Sequence, residues 1–120
     1  MKDNPHEDWT LITGASQGIG KALALECAKR GMNLFLVALP SSGLEDVSAQ
    51  ISEKYDVKVD YLETDLTRMD SCQEVYRYSK SKGLNINVLI NNAGIGYNGR
   101  IDVMPVENVD QMIMLNVRAT

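Results

Sequence analysis

Apolar positions along the chain fall into two kinds of run with different periods. "WTLIT" (Trp9–Thr13) and "NLFLVAL" (Asn33–Leu39) are almost continuously apolar and short, as expected of strands buried on both faces. Between them, Ile19–Arg30 carries Leu23, Cys27 and several alanines, and Gly31 follows where a helix would end. Leu44, Val47, Ile51 and Tyr55 recur every three or four residues, which predicts a second helix over Leu44–Tyr55. "VKVDYL" (Val57–Leu62) alternates, as an edge strand with one solvated face would. Asp70 is placed to cap a third helix with Cys72, Val75, Tyr76 and Ser79 on one face, ended by Lys80, Lys82 and Gly83. "INVLIN" (Ile86–Asn91) predicts a fourth strand, followed by the Gly/Asn-rich loop "NAGIGYNG". Pro105 opens a fourth helix with Val106, Val109, Ile113 and Val117 on one stripe.

The order is therefore βαβαβαβ and then a helix. Such alternation predicts an α/β fold: a parallel sheet with right-handed crossovers and helices on both faces. Four strands would lie in the order 3-2-1-4. That is the first half of a Rossmann-type doubly wound sheet, with its ligand crevice between strands 1 and 4.

Composition narrows the function classes. A chain of 120 residues makes one compact domain, and 44% apolar with 23% charged residues suits a soluble globular protein. Twelve basic against sixteen acidic side chains give a net charge of -4, so no basic excess points to nucleic acid. Nucleotide binding through backbone N–H groups is untouched by that balance. The longest apolar run, "LFLVAL", is far too short to span a membrane, and the N-terminus lacks a signal-type apolar core, so a cytoplasmic protein is expected. His6 is the one histidine, so no His/Cys metal site is expected. Cys27 and Cys72 read as reduced, half-buried thiols.

Three stretches carry candidate chemistry. "TGASQGIG" (Thr13–Gly20) lies between a predicted strand and a predicted helix, where glycines let backbone approach a pyrophosphate and the helix end offers N–H groups. Its Gly14, Gly18 and Gly20 follow a G-x-x-x-G-x-G spacing; alone, it would equally suit a tight β–α connection. Asp65, just past strand 3, could accept a bond from an adenine amino group, with the Leu66 backbone assisting; a turn role is the plainer reading. "NNAG" (Asn91–Gly94) ends strand 4, where two Asn side chains could bond to neighbouring backbone and hold the central strands together.

In their order and spacing, "TGASQGIG", "DL" after strand 3 and "LINNAG" after strand 4 closely resemble the short-chain dehydrogenase/reductase family, in its small single-domain branch. The resemblance runs from Trp9 to Thr120. It implies a cofactor site for NAD(P) made by Gly14, Ser16, Gln17, Gly18, Ile19, Gly20, Asp65, Leu66, Asn92, Ala93 and Gly94. It also implies hydride transfer between the nicotinamide and a small-molecule carbonyl or alcohol. Asn116, on the apolar stripe of the fourth helix, matches the family's Asn that supports a proton relay through water. The family's Ser and Tyr-x-x-x-Lys pair are not matched. Tyr76 and Lys80 have the right spacing but precede NNAG, and read as a packing pair on an outer helix.

Cofactor choice turns on the end of strand 2. An acid selecting NAD would stand at Ala38, and NADP-binding members often place Arg at the next position, Leu39. With neither present, and Ser41 and Ser42 able to donate to a 2′-phosphate, the balance favours NADP over NAD. The resemblance implies that residues 1–120 are an NAD(P)-binding domain truncated within the helix after strand 4. The chain is then expected to lack turnover by itself and, with strand 4 as a sheet edge, to self-associate. The rival reading is a non-catalytic nucleotide-binding or scaffolding module. The extended, epimerase-containing branch of the family spaces its turn glycines differently.

Overall fold

β2 (Asn33–Ala38) is buried at every position, and its two faces explain the architecture. Leu34, Leu36 and Ala38 point into one apolar cluster with Ile12, Ala24, Ala28, Leu44, Val47 and Ile51, under α1 (Gly18–Lys29) and α2 (Leu44–Lys54). Phe35 and Val37 point the other way, against Trp9, Leu11, Leu66 and Val75, under α3 (Ser71–Ser81). A strand with a core on each side has no polar face to alternate with.

In this computed structural model, which describes residues 7–94 and 102–120, the other strands are β1 (Asp8–Thr13), β3 (Val59–Glu63) and β4 (Asn85–Ile90). All pairings are parallel and the sheet order is β3-β2-β1-β4. Every predicted element is present, and through β4 the ends are displaced by no more than two residues. The Gly/Asn-rich loop beyond Gly94 and His6 lie outside the described residues.

Four expectations change. β3 is an edge strand, but it does not alternate: Val59 to Leu62 are all half-buried. Tyr61 packs with the α1/α2 cluster and Leu62 with the other. Asp60 accepts a hydrogen bond from the Tyr78 hydroxyl of α3 at 2.6 Å, so both faces are partly covered. Tyr78 also stacks on Phe35 at 5.3 Å between centroids. Burial, with the Asp60 bond second, pushes its hydroxyl up to about 12, so it remains a donor. Asp70 precedes α3 but makes no side-chain cap; its carboxylate pairs with Arg68 at 3.1 Å instead. On α3 the buried positions are Ser71, Val75 and Ser79, while Cys72 and Tyr76 are exposed; Cys27 is the buried thiol.

The largest departure is in the fourth helix. α4 (Val106–Ile113) has no buried residue, and Val106, Ile113 and Val117 on the expected stripe are exposed. A π-helical turn, Met114–Arg118, follows, closed by a bond from the Ala119 amide to the Met114 carbonyl at 3.0 Å. Leu115 within this wider turn and Ala119 just after it pack on the α3-side cluster instead. Arg118 donates to the Thr67 carbonyl, tying this turn to the β3–α3 loop.

Where β1 passes into α1, the chain crosses very close to the end of β4. A Cβ on Gly20 would stand 2.0 Å from the Gly14 carbonyl oxygen and 2.5 Å from Asn92 Nδ2. Gly18 has φ +59°, yet a Cβ there would meet nothing within 4 Å.

Two stability predictions follow from these contacts. Phe35→Ala should cost about 3–5 kcal/mol in denaturant unfolding, while Tyr76→Ala on the exposed face stays within about 0.5 kcal/mol. Gly20→Ala should cost about 3 kcal/mol because backbone must move, against about 1 kcal/mol for Gly18→Ala, where only the positive φ opposes it. Equal melting temperatures for the two glycine variants would contradict this packing.

Candidate functional site

The carboxyl ends of the four strands open into a cleft of about 610 Å³. The segments after all four strands line it, with Gln111 and Leu115 from the last helix, and the sheet order reverses direction at β1, leaving a crevice where the β1 and β4 loops part.

The floor is the β1–α1 turn. Gly14 and Gly18 take positive φ, which lets the chain turn back under its own helix. Gln17 sits at the N-cap position in extended conformation, and its side chain makes no cap. The first intrahelical bond here runs from the Lys21 amide to the Gln17 carbonyl, 3.2 Å. The amides of Gly18, Ile19 and Gly20 thus have no acceptor within the helix and present its positive end.

The inner wall is the β4 end. The Thr13 hydroxyl accepts from the Asn92 and Ala93 amides at 3.1 and 3.0 Å. Asn92 Nδ2 donates to the Gly14 carbonyl at 3.1 Å. Asn92 therefore does the joining anticipated for both asparagines, whereas Asn91 lines a different cavity. Thr13, the first residue of the "TGASQGIG" stretch, is the partner to which the sequence reading gave no role.

The outer wall is the β3–α3 loop. Asp65 Oδ1 accepts from the Thr67 hydroxyl at 2.6 Å and the Thr67 amide at 2.9 Å. Those two bonds, the hydroxyl's first, hold the Asp65 carboxyl below its usual range, with Arg68 adding a little. The stabilisation is present above the ordinary carboxylate pKa and is lost as pH falls through the lowered one. Asp65 thus fills the turn role directly and still faces the cleft.

Of the residues singled out from the sequence, Gly14, Ser16, Gln17, Gly18, Ile19, Leu39, Asp65, Leu66, Asn92, Ala93 and Gly94 line this cleft. Gly20 lies behind it, packed against Gly14. Asn116 is exposed and sits in the π-helical turn, not buried on an α-helical stripe. Its Oδ1 stands 3.2 Å from where a Cβ on Gly94 would lie, so a side chain at Gly94 would crowd it. Thr64, Thr67, Gln111 and Leu115 also line the cleft. Thr67 was legible as the D-x-T turn partner of Asp65; Gln111 and Leu115 depend on how the last helix docks.

The decoy pair behaves as a surface contact. Lys80 Nζ lies 5.6 Å above the Tyr76 ring, and both line a separate cavity of about 370 Å³ between α3 and β4. The same spacing recurs at Tyr78 and Lys82, also 5.6 Å apart and away from the cleft. Among the described residues no cluster of three His, Cys, Asp or Glu side chains could hold a metal ion. No described helix is long and apolar enough to cross a membrane.

The cleft's donors suit a phosphorylated, ribose-bearing ligand. The α1 amides offer an anion site, Gly18 leaves open space, and Ser42 Oγ is buried at the cleft wall with no partner among the described residues.

Comparison with known proteins agrees with this geometry. The family model for short chain dehydrogenases matches residues 8–120. The very-long-chain 3-oxoacyl-CoA reductase of Bos taurus is 37% identical over 106 residues, covering 88% of this chain and 33% of that protein. A short-chain dehydrogenase from Sphingobium yanoikuyae, solved in complex with NADPH, superposes with TM-score 0.84 at 35% identity, covering 94% of this chain and 43% of its own. L-Sorbose reductase from Gluconobacter frateurii, solved with NADPH and L-sorbose, gives TM-score 0.88 at 31% identity, covering 94% and 43%. The chain spans about a third of the curated relatives' length, as it does of the bovine one, and under half of these solved chains. The chain belongs to the short-chain dehydrogenase family.

Proposed function

We propose that this chain carries the dinucleotide-binding part of a short-chain oxidoreductase that uses NADP(H) in preference to NAD(H). The observation that carries the reading is the convergence of the α1 amides, the Asp65–Leu66 segment and the Asn92–Gly94 loop on one cleft. The helix end would hold the pyrophosphate, Asp65 and the Leu66 backbone the adenine, and Asn92 to Gly94 the adenosine ribose. The bound nicotinamide supplies a hydride to a carbonyl carbon, or takes one from an alcohol. Asn116, beside Gly94, would support proton movement through water at the nicotinamide end. The NADP(H) preference is supported by the absence of a carboxylate on Ala38 and by the NADPH in the two similar structures. A ketone is the substrate class suggested by the names of the 3-oxoacyl-CoA and L-sorbose reductases.

Neither Tyr76/Lys80 nor Tyr78/Lys82 borders the cleft, so α3 does not supply a proton-donating Tyr with its Lys there. The purified 120-residue chain is expected to bind NADPH in calorimetric titration, more tightly than NADH, yet to oxidise none of it with ketone substrates. No binding of either nucleotide would defeat the reading, and robust NADPH oxidation would defeat its second half.

Self-association belongs to the same proposal. Among the described residues β4 pairs only with β1, and Leu89 is 54% exposed on it. Ile113 and Val117 of the last helix are 51% and 68% exposed. Light scattering should show dimers or larger species whose fraction rises with concentration; a monomer at all concentrations would contradict this.

A further inference from the structure

Beside the cleft, at the end of β3, stands an acid that the end of β2 lacks. Ala38, the last residue of β2, stands in register with Glu63, the last residue of β3. Beyond Ala38 the chain turns over the cleft rim toward α2. Within that turn Ser41 takes φ 61°, a conformation rarely adopted by residues other than glycine. Its amide donates to Glu63 Oε2 at 3.2 Å. The adjacent Ser42 lines the cleft, with its hydroxyl oxygen buried and unpartnered among the described residues. Ser41 and Glu63 do not themselves line the cleft, but each adjoins a residue that does, Ser42 and Thr64, and the Glu63 carboxylate already holds the Ser41 amide.

The end of the second strand is where this class of fold distinguishes a ribose 2′-hydroxyl from a 2′-phosphate. A hydroxyl can donate to a carboxylate. A phosphate dianion cannot, and it brings two negative charges toward it. We propose that Glu63 is a specificity-determining residue of the dinucleotide site: its carboxylate occupies the Ser41 amide in the manner of a 2′-phosphate oxygen and opposes the phosphorylated cofactor. The inference rests on the proposed dinucleotide site. Under it, the preference for NADPH is held down by Glu63 and set up by the absence of an acid at Ala38. Register pairing supplies the mechanism, because it brings beside the cleft a side chain that lies 25 residues along the chain from Ala38.

Glu63→Gln is the informative variant. It keeps the side-chain length and an oxygen that can still accept from Ser41, and it removes the charge. Calorimetric titration of the wild-type chain and the variant with NADPH and with NADH reads the effect directly, without turnover. NADPH should bind about tenfold more tightly to the variant. NADH should change by less than about twofold, or weaken. Glu53→Gln, in the last turn of α2 at the far end from this rim, controls for net charge and should leave both affinities unchanged. An unchanged NADPH affinity in Glu63→Gln, an equal gain for both nucleotides, or the same gain in Glu53→Gln would each overturn the proposal. Failure of the wild-type chain to bind either nucleotide would instead overturn the dinucleotide reading, so the two failures are distinguishable.

Discussion

Everything at the functional end of this molecule depends on how closely β1, α1 and β4 approach one another. The approach is set by a backbone-to-backbone contact with no room for a side chain: the Gly14 carbonyl lies under Gly20. The same carbonyl accepts from the Asn92 side chain, and the Thr13 hydroxyl accepts from the Asn92 and Ala93 amides of the β4 loop. These bonds satisfy polar groups that would otherwise be stranded where two parallel strands diverge. With the strand ends pinned, the α1 amides face a fixed space instead of a moving loop. Pre-organisation of this kind lets a helix terminus act as an anion site without further rearrangement.

The two-sided core makes that junction rigid. β2 is buried along its whole length, and β1 is buried except at its first residue. α1 and α2 close one face and α3 the other. The sheet's outer members are less well covered, and they do different jobs. β3 and the loop after it place polar groups at both ends: Asp60 meets Tyr78 away from the cleft, while Glu63 holds Ser41 and Asp65 its own turn at the cleft end. β4 delivers the Asn92 loop but leaves exposed apolar side chains along its length. The π-helical turn after α4 carries Leu115, which packs on the α3-side core, and Asn116, which stands beside Gly94.

The fold was legible because strands and helices of this size announce themselves by period. The apolar run at Leu34–Val37 and the three-to-four spacing of Leu44, Val47 and Ile51 are properties of the chain itself. The Gly-rich turn and NNAG were legible for a related reason: both need particular residue types where backbone groups crowd. Less legible were features set by what lies across a gap. Alternation in β3 suggested a wet face, but Tyr78 covers it from another helix. The stripe on α4 suggested burial, but Leu115 and Ala119 make the core contacts instead. Asp70 looked like a helix cap and found Arg68 closer to hand.

The amino-acid sequence alone determined the element order, the sheet order and the identity of the residues on the cleft floor. It could do so because hydrophobic period, strand–helix alternation and glycine's steric freedom act over short stretches of chain. Tertiary structure decided which polar groups meet. Thr13 with Asn92, Glu63 with Ser41 and Asn116 beside Gly94 are separated by tens of residues, and strand register and helix docking bring them together. Hydrogen-bond geometry is sensitive to shifts of a few tenths of an ångström, whereas hydrophobic burial tolerates them. That difference in tolerance is why the core could be read along the chain and the rim of the site only in three dimensions.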